Sequence, residues 1–166
     1  LREHHQFGVE CFGAPTPATD AEIISLADTA LKRLGITEVK VHINSIGCPN
    51  CRPKYYDMLK GYLNQHKDCL CEDCLNRLDR NPMRILDCKQ ESCKKVAADA
   101  PIALDYLCDD CREHFEKVKT YLDDMGIAYE IDTNIVRGLD YYTKTVFEFV
   151  STNIGARFAA AAGMTV

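Results

Sequence analysis

The sequence predicts an α+β fold: strands with helices packed on them, interrupted in the middle by a mostly helical, cysteine-bearing insertion. Three observations lead there. Residues 38–45, EVKVHINS, and 145–150, TVFEFV, alternate as strands with one buried face do. Residues 19–34 and 109–125 repeat apolar side chains at helical spacing. Between these segments, residues 47–111 hold Pro49, Pro53, Pro82 and Pro101 and every cysteine except Cys11.

A chain of 166 residues that is 46% hydrophobic can bury one ordinary core and a small insertion. Its net charge of −5 gives no overall attraction for nucleic acid. Any RNA contact must therefore come from a local cluster such as Arg77, Arg80, Arg84 and Lys89, whose bland alternative is a solvated face. No apolar run approaches the roughly 20 residues that span a bilayer, and residues 1–10 lack a signal-peptide core, so a soluble protein without a membrane partner is expected. Because the chain opens without Met, its true N-terminus is expected to lie further upstream, and a missing targeting signal carries little weight.

In chain order, residues 6–13 alternate well enough for a strand, with Gln6 and Glu10 on one face and Phe7, Val9 and Cys11 on the other. The run APTP at residues 14–17 ends it. Thr19, Asp20, Ala21 and Glu22 form a capping-box pattern that opens a helix with Ile23, Ala27, Ala30, Leu31 and Leu34 as its apolar stripe, closed by Gly35. In the following strand Val39, Val41 and Ile43 oppose Lys40, His42 and Asn44, and His42 reads as a packed or surface histidine rather than a ligand. Pro53 suits the first position of a helix through Tyr56, Leu59 and Leu63. Residues 71–80 suggest another, stopped by Asn81-Pro82. Residues 109–125, with Cys111, Phe115, Val118 and Leu122, lead by Gly126 into a strand at 127–132. The expected domain limits are 1–46 and 112–166 for the two parts of the main body and 47–111 for the insertion.

Ten cysteines are many for this length. Cys48/Cys51, Cys71/Cys74 and Cys108/Cys111 each have the Cys-x-x-Cys spacing that lets two thiolates meet one tetrahedral zinc ion, and Cys88/Cys93 supply a looser fourth pair. Eight paired sulfurs suffice for two closed Zn2+ sites, leaving Cys11 and Cys69 spare. A metal staple suits a segment with little core of its own. Buried thiols and disulfides are the alternatives, a thioredoxin-type redox pair lacks its βαβ context, and the spacing alone does not say which pairs combine.

Residues 137–143, RGLDYYT, carry chemistry of a different kind. Arg137 offers a planar fork for carboxylate or phosphate, Gly138 allows a tight turn, and Tyr141 and Tyr142 provide aromatic walls with hydroxyls that donate and accept. An exposed loop with two partly packed tyrosines is the plain alternative.

RGLDYYTKTVFEFV resembles the histidine-specific loop of histidyl-tRNA synthetases, and LREHHQFGVECFG at residues 1–13 resembles the second half of that family's motif 2. Between them INSIGCPNCRPKY, NPMRILDCK and DAPIALDYL resemble family sequence in the same order. The resemblance implies part of a class II synthetase antiparallel sheet with flanking helices. It also implies histidine activation by attack of the substrate carboxylate on the α-phosphorus of ATP, then transfer to tRNA-His, with Mg2+ as cofactor, in a cytoplasmic homodimer. Carried over by motif, Arg137 is the catalytic residue beside the α-phosphate, Glu10 and Tyr142 meet the two imidazole nitrogens, Gln6 lies near the α-amino group, and Gly138 and Tyr141 shape the pocket. Arg77, Arg80 and Arg84 are expected to face the tRNA acceptor arm.

The family's motif 1 helix, earlier motif 2 arginine and anticodon-binding domain have no counterpart here, and the closing RFAAAAGMTV lacks the glycine-rich loop expected after Ala156. A catalytic-domain fragment with little or no aminoacylation activity of its own is the expectation. Two other classes compete. A synthetase-like regulatory subunit of ATP phosphoribosyltransferase commonly lacks the complete histidine loop, which this chain has. A stand-alone zinc-knuckle module binding RNA or protein would use the strands only as scaffold.

Overall fold

The computed structural model describes residues 3, 5, 8–136 and 142–151. Its sheet is built on β1 (Lys40–Ser45), with β2 (Tyr129–Ile131) on one side and β3 (Thr145–Val150) on the other. β1 and β3 are antiparallel, placing Val41 opposite Phe149 and Ile43 opposite Phe147, so four apolar side chains share one face. The β1–β2 ladder is parallel, so the expected antiparallel arrangement describes the β1–β3 ladder and the sheet as a whole is mixed. The physical reason is connectivity: the chain leaves β1, passes through the cysteine-bearing segment and a long helix, and returns to β2 in the original direction.

The shared face packs on α1 (Pro17–Arg33) and α5 (Asp109–Asp124), forming a core of Ala21, Ile24 and Leu31 with Phe115, Val118 and Leu122. α1 begins two residues before the capping box at Thr19. Thr16 is its N-cap, accepting the Thr19 amide at 3.3 Å, because Pro17 is preset for the first helical turn and has no amide to satisfy. The buried stripe is correspondingly Ala21, Ile24, Asp28 and Leu31 with Ile23 and Ala27 at its margin, while Leu34 is exposed. Asp28 tolerates that position by pairing with Lys32 at 2.7 Å. Both long helices end alike, with Gly35 and Gly126 at φ 78° and 66°. The amides of Ile36 and Ile127 then reach back to the carbonyls of Leu31 and Leu122 at 2.9 Å.

The cysteine-bearing segment is mostly helical, as expected. α2 (Arg52–Gln65), α3 (Glu72–Arg77) and α4 (Glu91–Ala98) alternate with 3-10 turns at Lys67–Cys69, Pro82–Ile85 and Ala103–Tyr106. Tyr55, Leu59 and Leu63 from α2 pack with Leu78, Met83, Ile85 and Val96, and this second core runs on into Ile135, Val136 and Val146 of the sheet region. α4 has no individual signal beyond Cys93, Val96 and Ala97 at helical spacing.

The strand expected over 6–13 is not formed in residues 8–13. A strand needs a neighbour to satisfy its amides and cover its apolar side, and here Val9 is 48% and Phe12 84% exposed. His42 is a packed histidine, held between Asp132 at 3.2 Å and Glu130 at 3.4 Å.

α1 and α5 are tied by a buried hydrogen bond, His114 Nε2 standing 2.7 Å from Asp20 Oδ2. Asp20→Ala leaves the imidazole buried without its acceptor and is expected to lower stability by about 1–3 kcal/mol in urea unfolding, with an unchanged m-value.

Candidate functional site

The carboxyl end of β1 is where the chemistry-bearing segments meet. Asn44 is buried inside the sheet region and spends its whole amide on backbone. Its Nδ2 donates to the carbonyls of Thr133 at 3.3 Å and Ile135 at 3.1 Å, and its Oδ1 accepts the Ser45 amide at 2.8 Å. That fixes the chain just before residue 137. After residue 141, Ile46 donates to the Lys144 carbonyl and Lys144 donates to the Gly47 carbonyl, both at 2.9 Å. Lys144 takes φ 55° to do so, a left-handed conformation that costs a side-chain-bearing residue about 1–2 kcal/mol.

Two cysteine knuckles frame this point. In the first, Cys51 and Arg52 turn their amides onto the Cys48 carbonyl at 3.2 and 3.0 Å. The second opens α5, with Cys108 before its first residue and Cys111 in its first turn. The four sulfurs come together: Cys48 to Cys51 is 3.7 Å, Cys48 to Cys108 3.8 Å and Cys51 to Cys111 3.9 Å. Gly47 makes room for them, since its φ is 69° and a Cβ there would stand 2.7 Å from Cys51 Sγ.

Cys71, Cys74, Cys88 and Cys93 form a second quartet inside the cysteine-bearing segment, with Cys71 3.8 Å from Cys88 and the Cys71 amide donating to Cys93 Sγ at 3.2 Å. In both quartets all four sulfurs lie within 4.8 Å of one another. A tetrahedron with metal–sulfur bonds of about 2.3 Å has edges of about 3.8 Å, whereas a disulfide needs about 2.05 Å. The observed separations match the tetrahedron. The partition among pairs, which spacing left open, is thus Cys48/Cys51 with Cys108/Cys111 and Cys71/Cys74 with Cys88/Cys93. Cys11 and Cys69 are exposed.

The thiols are unequal. Burial works against ionising Cys48, yet the amides of Cys51 and Asn50 and the neighbouring thiols bring it to about 7. The Cys74 amide, opposed by burial and helped by the adjoining thiols, likewise lowers Cys71 to about 7. Burial pushes Cys74, Cys93 and Cys111 up, reinforced by sulfur neighbours. At Cys108 the Cys111 amide lowers the thiol, but burial and the crowding of Cys48 and Cys51 win and raise it. Each quartet therefore holds one lowered thiol beside two raised ones, Cys48 with Cys108 and Cys111 and Cys71 with Cys74 and Cys93, a balance that a bound dication would reverse by neutralising the crowded thiolates.

Of the residues singled out for a histidine pocket, Gln6, Arg137, Gly138 and Tyr141 lie outside the described residues. Glu10 is exposed on the irregular stretch after residue 8, and Tyr142 is half-buried against the second core. Of the arginines, Arg80 is exposed, Arg77 half-buried, and Arg84 half-buried with Asp87 3.7 Å away. Sequence reasoning missed Asn44, Arg52 and Asp110. Arg52 sends Nε to the Ile46 carbonyl at 3.3 Å and Nη2 to the carbonyls of Gly47, at 3.2 Å, and Tyr142. Asp110, between the sulfurs of the second knuckle, lies 3.0 Å from Lys144 Nζ. For Arg52 and Asp110 the only sequence signal was their place beside or inside Cys-x-x-Cys, and for Asn44 it was a polar letter in a strand.

The sequence profile of the family "Histidyl-tRNA synthetase" matches residues 1–163. A histidine–tRNA ligase of Caldanaerobacter subterraneus subsp. tengcongensis is 57% identical over 98% of this chain, and one of Acetivibrio thermocellus is 58% identical over 98%. In both cases the chain spans 39% of the relative's length. The crystal structure of apo S. aureus histidyl-tRNA synthetase superposes with a TM-score of 0.66 at 35% identity, covering 90% of this chain and 35% of that one.

A methyl group at residue 47 would press on Cys51 Sγ. Gly47→Ala is expected to abolish one of two thiolate–Co2+ absorption contributions in cobalt-loaded protein, halving the charge-transfer band while the second quartet keeps its share.

Proposed function

The chain belongs to the histidyl-tRNA synthetase family, and on that footing we propose that it is the histidine-recognising part of a histidine–tRNA ligase together with a zinc-stapled insertion at 47–111. The observation that carries the reading is an intact RGLDYYT held at both flanks: Asn44 grips the carbonyls of Thr133 and Ile135 before it, and Arg52 the Tyr142 carbonyl within it. Anchors on both sides of residues 137–141 suit side chains that must be presented at set distances, which adenylation requires more than it requires a dedicated base.

In this reading the histidine carboxylate attacks the α-phosphorus of ATP and pyrophosphate leaves. The Arg137 guanidinium braces the carboxylate and the charge gathering on the phosphorus. Glu10 accepts one imidazole N–H, the Tyr142 hydroxyl meets the other ring nitrogen, Gln6 holds the α-amino group, and Gly138 and Tyr141 close the wall. Pairing both ring nitrogens rejects apolar isosteres by about 10⁴-fold, because a wrong side chain leaves buried polar groups unpaired. Mg2+ accompanies the ATP phosphates in reactions of this kind, and no residue of this chain is assigned to it.

Zinc suits the two quartets because they are all-sulfur, tetrahedral in spacing and closed, with no open position for substrate. Its role is to hold the insertion in shape. The insertion approaches tRNA through Arg77, Arg80 and Arg84; the full protein works as a cytoplasmic homodimer. Relatives at 57–58% identity bearing the ligase name favour this over a regulatory subunit of ATP phosphoribosyltransferase, and the continuity of the second core into Ile135, Val136 and Val146 disfavours an independent knuckle module.

The test is a full-length ligase in which this chain replaces the matching segment of the Caldanaerobacter relative. Histidine-dependent ATP–pyrophosphate exchange is expected, and Arg137→Ala should lower its kcat/KM by on the order of 10²-fold, about 3 kcal/mol. Exchange at the normal rate in that variant would overturn the role given to Arg137. Reversing Arg77, Arg80 and Arg84 to Glu should weaken tRNA binding and make its dependence on salt shallower by about two to three released counterions.

A further inference from the structure

Both knuckles of the Cys48/Cys51/Cys108/Cys111 quartet reach the short stretch 142–144, one at each end, and each does so through a side chain that is not a sulfur. From the first knuckle comes Arg52, the residue after Cys51, whose amide is part of the knuckle turn and whose guanidinium donates to the carbonyls of Ile46, Gly47 and Tyr142. From the second comes Asp110, set between Cys108 and Cys111, whose carboxylate holds Lys144 Nζ at 3.0 Å. Lys144 is the residue with φ 55°, and its backbone exchanges hydrogen bonds with Ile46 and Gly47. An unfavourable backbone conformation persists only where its surroundings impose it, and here the surroundings are the two knuckles.

We propose that this quartet, with its metal, is a positioning device for the histidine pocket: it sets Arg52 and Asp110, and through them the backbone of residues 142–144 that carries the Tyr142 hydroxyl to the substrate. The inference rests on the ligase reading above and adds to it a positioning residue, Arg52, and a division of labour between the metal sites. Arg52 touches no reacting atom. A planar fork is the right group for the task because one guanidinium supplies donors to three carbonyls on two chain segments at once, which a lysine ammonium at the end of a flexible stem does not reproduce. The second quartet lies among α3, α4 and the turns between them and makes no such connection among the described residues.

The experiment uses the full-length chimera described above. Arg52→Met is expected to raise the KM for histidine in pyrophosphate exchange about tenfold, with the KM for ATP and kcat within about twofold and two zinc ions still bound per chain. Hydrogen exchange at the Ile46 and Lys144 amides should quicken in the same variant, and Arg52→Lys should recover part of both effects. Asp110→Asn, a change at an exposed carboxylate that threatens the fold little, is expected to raise the histidine KM about two- to threefold. Stripping the metal with a chelator should reproduce the Arg52→Met pattern. An Arg52→Met protein with normal histidine KM and normal amide protection would overturn the proposal, as would an equal rise in both substrate KM values. A chelated protein that kept its histidine KM would overturn the part given to the metal. Absence of histidine-dependent exchange in the unmutated chimera would instead overturn the ligase reading, and the amide exchange of Ile46 and Lys144 would then decide the role of Arg52 by itself.

Discussion

The carbonyls of Ile46 and Gly47 are the constraint on which the rest depends. They stand where β1 has ended and no ladder partner follows, so their acceptor capacity has to be met from elsewhere or be lost at the cost of a buried unpaired group. It is met by the Lys144 amide and by the Arg52 guanidinium. Once those donors are in place, the start of β3, the first knuckle and residues 142–144 are all located relative to one strand. The fully buried side chains of Ile43, Phe147 and Phe149 keep that strand from sliding, because a register shift of one residue would turn all of them to the wrong face.

Apolar packing is distributed unevenly between regions. α1, α5 and the sheet have large aliphatic and aromatic side chains and need nothing further. Around the knuckles the buried cluster is only Cys51, Leu107 and Cys111, with Cys48, Cys108 and Leu104 at its edge. So small a cluster supplies little hydrophobic stabilisation, and thiols at contact distance add less than a coordinated ion does. The uneven ionisation within each quartet follows from the same crowding.

What could be read from the sequence depended on whether local pattern or partner decided the outcome. β1, β3, α1 and α5 announce themselves because their apolar letters alternate or recur at helical spacing, and the helix ends are marked by proline, glycine or a hydroxyl. Cysteine spacing identified the eight sulfurs but not their partition, since spacing describes each knuckle and not which knuckles the chain brings together across intervals such as the 60 residues between Cys48 and Cys108. The parallel setting of β2 was illegible for the same reason. Residues 8–13 look like a strand by letter and have no strand neighbour among the described residues. Asn44, Arg52 and Asp110 were overlooked because two of them serve backbone carbonyls and the third a lysine far along the chain, and a carbonyl oxygen has no letter. For the pocket, family motifs name Arg137, Gly138, Tyr141 and Gln6, while the structure describes their surroundings.

The first quartet sits at the foot of the cysteine-bearing segment, with one knuckle where the chain departs from the sheet and the other where it comes back. Closing about 60 residues of chain onto one point costs roughly 3–4 kcal/mol of entropy, and each doubling in length adds only about 0.6. A clamp at that place makes the footprint independent of whatever is mounted on it. Residues can be added to or removed from the stretch between the knuckles without moving the platform beneath, which makes this segment a natural cassette for exchanging one appendage for another.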